Sequence, residues 1–124
     1  MKLAIIGSRD YTNYEQLCDV MRNHYGLYCG ERDLWEYRVK EIISGGAKGA
    51  DSLAARWAKE EGVKLTEHIP EWDRLGKGAG FVRNQTIIDQ CDEVLCFWNG
   101  ESRGTRDSIK KAHAARKDTL IIYV

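Results

Sequence analysis

Short apolar runs alternate with stretches of helix-spaced apolar positions along the whole chain. Residues 2–6 (KLAII) form an apolar run closed by Gly7 and Ser8. In residues 13–25 the apolar positions Tyr14, Leu17, Cys18 and Met21 recur at helical spacing. A second strand is predicted over 39–43. Residues 50–61 then carry Leu53, Ala54, Trp57 and Ala58 on one helix face, and Gly62 ends that helix. A third strand is predicted over 63–68, and a short helix over 83–90 anchored by Ile87 and Ile88. A fourth strand over 93–98, a helix over 105–116 and a strand over 119–124 complete the chain.

Strands that alternate with helices predict a parallel sheet covered on both faces. The expected fold is therefore α/β: a Rossmann-like three-layer sandwich around a five-stranded parallel sheet of order 3-2-1-4-5. The flavodoxin-like order 2-1-3-4-5 is the alternative, which the pattern alone does not reject. Residues 1–124 are read as one domain, without repeat or linker. Two stretches stand outside the pattern. Residues 26–38 (GLYCGERDLWEYR) are long for a helix-to-strand connection, and residues 70–82 (PEWDRLGKGAGFV) read as a glycine-rich mobile loop.

In such sheets, ligands sit beyond the carboxyl ends of the strands, where the strand order reverses. The loops expected there read GSRDYTN, SGGAKGAD and WNGESRGTRDS. Each contains glycine and polar residues, and each leads into a helix. Glycine lets the backbone approach a ligand, and the helix behind it aims free N–H groups at the same point. A phosphate suits such a place. The candidates are Gly7, Ser8 and Arg9 in the first loop, and Gly45, Gly46, Lys48, Gly49 and Asp51 in the second. Trp98, Arg103, Gly104, Thr105 and Arg106 belong to the third. Arg83 and Asn84, opening the short helix, are expected to fold over the pocket mouth. Neither a P-loop nor a G-x-G-x-x-G turn is present, because Lys48 precedes Gly49 and Gly45 adjoins Gly46. Asp51 fits two roles: a first-turn acid, or a carboxylate that holds ribose hydroxyls or orients the loop. Thr105 and Ser108 read as an N-cap threonine and its neighbour, or as phosphate donors. Trp72 and Trp98 read as core or as base-stacking aromatics.

Nineteen basic and nineteen acidic residues leave zero formal net charge. That balance argues against a duplex-DNA binder, and no bulk nucleic acid is expected as a partner. The four cysteines, Cys18, Cys29, Cys91 and Cys96, form no C-x-x-C pair, so they are read as reduced thiols with no metal site. The histidines His24, His68 and His113 are isolated and receive no role. The apolar N-terminal run is too short for a signal peptide, and nothing approaches the ~20 apolar residues of a membrane span. A cytoplasmic protein with no membrane partner is expected. Leu27, Tyr28, Leu34, Trp35 and Tyr37, gathered in one connection, predict a homo-oligomer interface; a short helix folded over the sheet edge is the alternative.

The stretches GSRDY, SGGAKGADSLAARWA, GAGFVRNQTII and FWNGESRGTRDSI together resemble the SLOG superfamily, with the small YspA-like or YpsA-related members nearest. The resemblance spans nearly the whole chain. It implies a Rossmann-like fold of order 3-2-1-4-5 that binds a nucleotide-derived small molecule, with no further cofactor. The superfamily includes Lonely guy phosphoribohydrolases, DNA-processing protein A and the sensor domain of Thoeris immune effectors. The Lonely guy motif P-G-G-x-G-T-x-x-E is matched by Gly104 and Thr105. Ser108 stands at its glutamate, and Asp107 is one position early and expected to point elsewhere. Arg83 matches the arginine that opens the preceding helix in those enzymes. The resemblance thus implies a phosphate site without the acid that assists N-glycosidic cleavage, for which Asp10, Asp51 or Glu71 are the remaining carboxylates. Three functions follow: a sensor or sponge for an ADP-ribose-like or cyclic nucleotide signal, a nucleotide N-glycosidase, and a DNA-processing accessory.

Overall fold

The structure is a computed structural model that describes residues 1–30 and 34–124. Its central strand is β1 (Lys2–Gly7), where alternate side chains serve opposite faces. Leu3 and Ile5 enter one apolar cluster, Ala4 and Ile6 the other. Helix α1 (Tyr14–Tyr25) follows, started by Asn13, whose side chain accepts the Gln16 N–H. Strands β2 (Gly26–Cys29) and β3 (Leu34–Tyr37) come next, then β4 (Glu41–Ser44) and α2 (Ala50–Glu61). Strand β5 (Lys64–Glu67) leads to a single turn, α3 (Trp72–Leu75), and to α4 (Ala79–Gln90). Strand β6 (Glu93–Trp98), α5 (Arg103–Ala114) and β7 (Asp118–Tyr123) close the fold.

The main sheet runs β5-β4-β1-β6-β7, every pair parallel. Counting only its five strands, this is the order 3-2-1-4-5; the flavodoxin-like order is excluded. Helices α1 and α2 cover one face, where Leu17, Met21, Ala54 and Trp57 meet Leu3, Ile5, Ile42, Leu95 and Phe97. On the other face, Ile87 and Ile88 of α4 and Ala112 of α5 pack on Ala4, Ile6, Ile43, Val94 and Cys96. Among the described residues, no helix is long and apolar enough to cross a membrane.

Two stretches differ from the sequence-based expectation. Residues 26–38 are neither a plain connection nor a helix over the sheet edge; β2 and β3 pair antiparallel, with Tyr28 opposite Trp35. Residues 31–33 of this stretch lie outside the described residues. The root of the hairpin is fixed by Tyr37, whose ring meets Trp57 edge-on at 4.9 Å. Its outer positions Leu27, Tyr28 and Leu34 stay exposed. The second difference lies in residues 70–82, expected as a loop. They hold α3, a 3-10 turn at Gly76–Gly78 and the first turn of α4. Arg83 and Asn84 therefore stand one turn inside α4 rather than at its start.

Candidate functional site

At the carboxyl ends of β1, β4 and β6 lies a crevice of about 420 Å³. Its position is set by Ser8, which is buried and engaged through its N–H, carbonyl and hydroxyl oxygen. The Ser8 N–H donates to the Phe97 carbonyl (2.9 Å), and its own carbonyl accepts from the N–H groups of Tyr11 and Ala50, each at 3.2 Å. Its hydroxyl accepts from the Asn99 N–H at 3.0 Å. One residue thus joins the ends of β1 and β6 to the start of α2. Gly7 permits this closeness, because a Cβ there would meet the Phe97 carbonyl and lie 2.7 Å from Ala50 Cβ.

The loop from β4 to α2 is held by Asp51 and Arg83. Asp51, only 8% exposed, accepts the Ala47 N–H at 3.1 Å. Ser52 closes the same turn by donating its hydroxyl to the Ala47 carbonyl. Of the roles open to Asp51, the geometry displays two: an acid in the first turn of α2 and orientation of the loop through a backbone N–H. Burial pushes the Asp51 carboxyl above its ordinary pKa; the Ala47 N–H, the nearby Arg83 and the Ser44 hydroxyl pull it back. Arg83 reaches across from α4 and donates from Nη1 to the Gly45 carbonyl at 2.7 Å and to the His68 carbonyl at 3.4 Å. Burial lowers its pKa, Asp51 raises it, and Arg9 lowers it. Asn84 accepts from Arg83 Nε at 3.0 Å and donates to the Gly104 carbonyl and to Asp107 Oδ2. Lys111 binds the same carboxylate, so Asp107 is engaged outside the crevice. Ser108, at the motif's glutamate position, lies on the crevice wall.

A raised carboxyl pKa has a direct consequence for stability. The folded chain holds the Asp51 proton more tightly than the unfolded one. The contribution is fully present below the ordinary carboxylate pKa of about 3.9, and is lost as pH rises through the folded value. Asp51→Asn retains an oxygen for the Ala47 N–H and removes the titration. Urea unfolding at a series of pH values should show the variant losing less stability than wild type across that window. Parallel curves would mean that Asp51 does not titrate differently on folding.

Loop three is organised by residues that the sequence reading passed over. Asn99 Oδ1 accepts the N–H groups of Glu101 (2.8 Å) and Ser102 (2.9 Å). Ser102 caps α5 by accepting the Thr105 N–H at 3.4 Å, and its hydroxyl pairs with that of Thr105. The Arg103 and Gly104 N–H groups, at the first two helical positions, have no intrahelical acceptor. The pattern Asn-Gly-x-Ser in front of a helix was a readable signal: an Asx turn followed by an N-cap.

The structure thus brings Gly7, Arg9, Gly45, Asp51, Arg83, Asn84, Gly104 and Thr105 to the crevice, together with Asp10, Asn99, Ser102 and Ser108. The other predicted residues lie elsewhere. Ser8 is behind the wall, and Gly49 packs against Ser8 and Arg9 with a φ of +75°. Gly46, at φ +70°, turns its open side to Ile69 and Glu67. Lys48, Arg103 and Arg106 are exposed and outside the lining. Trp98 braces the third loop from outside, donating from Nε1 to the Ser102 carbonyl at 3.1 Å. Trp72 is exposed on α3, where its ring lies over Gly80. Glu71 is paired with Arg74, leaving Asp10 and Asp51 as the carboxylates of the crevice.

The model of the YspA, cpYpsA-related SLOG family matches residues 1–75. The Gene 61 protein of Mycobacterium phage D29 is 34% identical over 125 residues, covering 92% of this chain and 90% of that protein. The chain belongs to the YspA/cpYpsA-related SLOG family. Among solved structures, this SLOG chain is similar to DNA processing protein A from Streptococcus pneumoniae, with a TM-score of 0.72 and 22% identity over 99% of the chain. It is also similar to DNA processing protein A from Helicobacter pylori, described for its single-stranded DNA binding mode, with a TM-score of 0.61 and 19% identity over 98% of the chain. The chain spans 50% and 64% of those two proteins, and the likeness is one of fold.

Proposed function

We propose that the crevice binds the phosphate-bearing end of a nucleotide-derived small molecule and holds it without cleaving it. The observation that carries this reading is the convergence of Arg9, Arg83, the Gly45–Ala47 turn and the opening turn of α5 on one cavity. Cations, close-approaching backbone and unpartnered helix N–H groups together make a phosphate site. Ser108 replaces the glutamate of the Lonely guy motif, and Asp107 is occupied by Asn84 and Lys111. This supports a sensor or a sponge for a signal such as an ADP-ribose-like or cyclic nucleotide. The similarity to a phage gene product agrees with a role in conflict between phage and host.

Two other readings rest on particular observations. Asp51, a buried carboxyl with raised pKa on the crevice wall, favours an N-glycosidase. The fold shared with the Helicobacter pylori protein favours single-stranded DNA as ligand, with a DNA-processing role. The zero net charge is therefore no exclusion of single strands. One experiment separates the three: incubation with nucleoside monophosphates, ADP-ribose and a short oligonucleotide, followed by chromatography of the small molecules. Unaltered bound nucleotide supports the holding role; released base means a glycosidase; binding of the oligonucleotide alone means a DNA ligand.

The exposed hairpin supports a homo-oligomer. Leu27 is 68% and Leu34 54% exposed, and the Tyr28 and Trp35 rings lie 5.3 Å apart on the hairpin. Trp35→Ala should shift the protein toward monomer in size exclusion coupled to light scattering. A wild type that already elutes at its 14.2 kDa monomer mass removes the interface.

A further inference from the structure

A second cavity, of about 380 Å³, lies on the far side of the β1–α1 loop. It is lined by Asp10, Tyr11, Thr12, Asn13, Gln16 and Asn99, with Val124 at its edge. Asp10 and Asn99 also line the phosphate crevice, so the two cavities adjoin at these residues. Each has the size of a small-molecule site, about 300–1,000 Å³.

The two halves differ in chemistry. The crevice holds both arginines. In the second cavity, the only charged side chain among the described residues is the carboxylate of Asp10. The helix start beside it offers little to an anion. The Tyr14 N–H is taken by the Thr12 carbonyl and the Gln16 N–H by Asn13 Oδ1, and Glu15 lies in the first turn. What the cavity does present is oriented carboxamides. The Tyr11 hydroxyl lies 2.7 Å from Gln16 Oε1 and 2.9 Å from the Asn13 carbonyl, and its proton serves these acceptors. The Tyr11 ring is itself locked by stacking on Phe97 at 4.6 Å. With its oxygen held, Gln16 has an NH₂ group without a hydrogen-bond partner among the described residues. The Asn99 oxygen is likewise occupied by two backbone N–H groups, leaving its NH₂ as the free end.

We infer that this cavity is a second subsite, taking the uncharged, acceptor-rich half of a ligand whose phosphate sits in the crevice. Gln16 and Asn99 supply donors to ring nitrogens, carbonyls or sugar oxygens; Asp10 accepts from hydroxyl or amino groups at the junction. A second phosphate is disfavoured here by Asp10 and by the absence of a cationic side chain among the described lining residues. The subsite rests on the phosphate reading of the crevice, and it restricts that reading to ligands with one charged and one neutral end.

The test is an amide-resolved NMR titration with inorganic phosphate, ribose 5-phosphate and adenosine 5′-monophosphate. Phosphate should shift the amides of residues 45–51 and 102–108 and leave 12–16 unmoved. A ligand with a neutral half should move 12–16 as well and bind about tenfold tighter than phosphate. A gain already complete with ribose 5-phosphate assigns the subsite to the sugar; a further gain with the monophosphate assigns it to the base. Gln16→Ala should reduce that advantage by roughly 2- to 12-fold and leave the affinity for inorganic phosphate unchanged. Gln16→Glu keeps an acceptor for Tyr11 and removes the donor, so it should lose the advantage too. Retention by Gln16→Glu would make Gln16 a mere support for Tyr11 and overturn its donor role. Equal affinity for all three probes, with 12–16 unmoved, overturns the subsite while the crevice stands. Absence of any phosphate shift at 45–51 and 102–108 overturns the crevice reading itself, and the subsite with it.

Discussion

Gly45→Ala should weaken binding of phosphate and of nucleoside monophosphates by about 10- to 150-fold while the protein stays folded. A Cβ at Gly45 would clash with the Arg83 guanidinium, lying 2.8 Å from Cζ, and would sit 3.0 Å from Asp51 Oδ2. The Arg83 side chain is the part able to move. Moving it forfeits the 2.7 Å bond to the Gly45 carbonyl and takes the guanidinium away from the crevice. One charge-assisted contact of this kind contributes roughly 1.5–3 kcal/mol, which is the stated range of affinity. Gly45 does not have a positive φ, so alanine meets no backbone strain there. Gly46→Val makes the contrast: it is strained at φ +70° and crowds Ile69, yet it lies outside the lining. Calorimetry on Gly45→Ala decides the matter, and a dissociation constant equal to wild type would remove Arg83 from the binding contacts.

The largest loss of stability is expected from Gly7→Val, at about 3 kcal/mol. Gly7 pairs with Phe97 across the central β1–β6 ladder and has Ala50, the first residue of α2, at its back. The added atoms would press on a backbone carbonyl on one side and a helix start on the other. Neither yields like a side-chain tip, so β1 must separate from β6 or α2 must lift. Overpacking commonly costs about 1–3 kcal/mol, and a β-branched side chain between two rigid elements belongs at the upper end. Chemical denaturation would report it as a lower midpoint. An unchanged midpoint would mean that α2 can move off the sheet freely.

Helix α2 shows why parts of this fold were legible. Gly49 and Gly62 bracket it with φ of +75° and +68°, and its apolar face reads at helical spacing, so both bounds were predicted. The hairpin was not legible because its burial pattern lacks alternation: Leu27 and Tyr28 are both exposed, as are Leu34 and Trp35. The first turn of α4 was hidden by its own glycines. Gly78 and Gly80 read as loop, while the Trp72 ring packed over Gly80 is a tertiary contact that local pattern cannot express.

The site divides in a similar way. Which strand ends carry it followed from topology, once the order 3-2-1-4-5 was expected. Which side chains turn inward depended on helix rotation. On α5, Thr105, Ser108 and Ala112 are buried, while Arg103, Arg106 and Lys110 are exposed. The spacing of Ile109 and Ala112 carried that information. Charge singles out the arginines, while the exposed face they share with Lys110 is the contrary sign. Asn99 escaped notice for a different reason: its contribution is made through the N–H groups of its neighbours, which no residue type announces.

The place of β1 between β4 and β6 has a consequence for how the chain is made. Of the five strands of this sheet, β1 is synthesised first, and its partner β4 follows some forty residues later. Its other edge pairs with residues 93–97. At roughly 5–20 residues per second, that edge waits on the order of 5–20 s. Throughout the wait this edge of the apolar Leu3–Ile6 segment keeps open N–H and C=O groups, the kind of edge that recruits other chains. A nascent chain stalled before residue 93 therefore leaves this edge of β1 uncovered, and translation through β6 is the event that seals it.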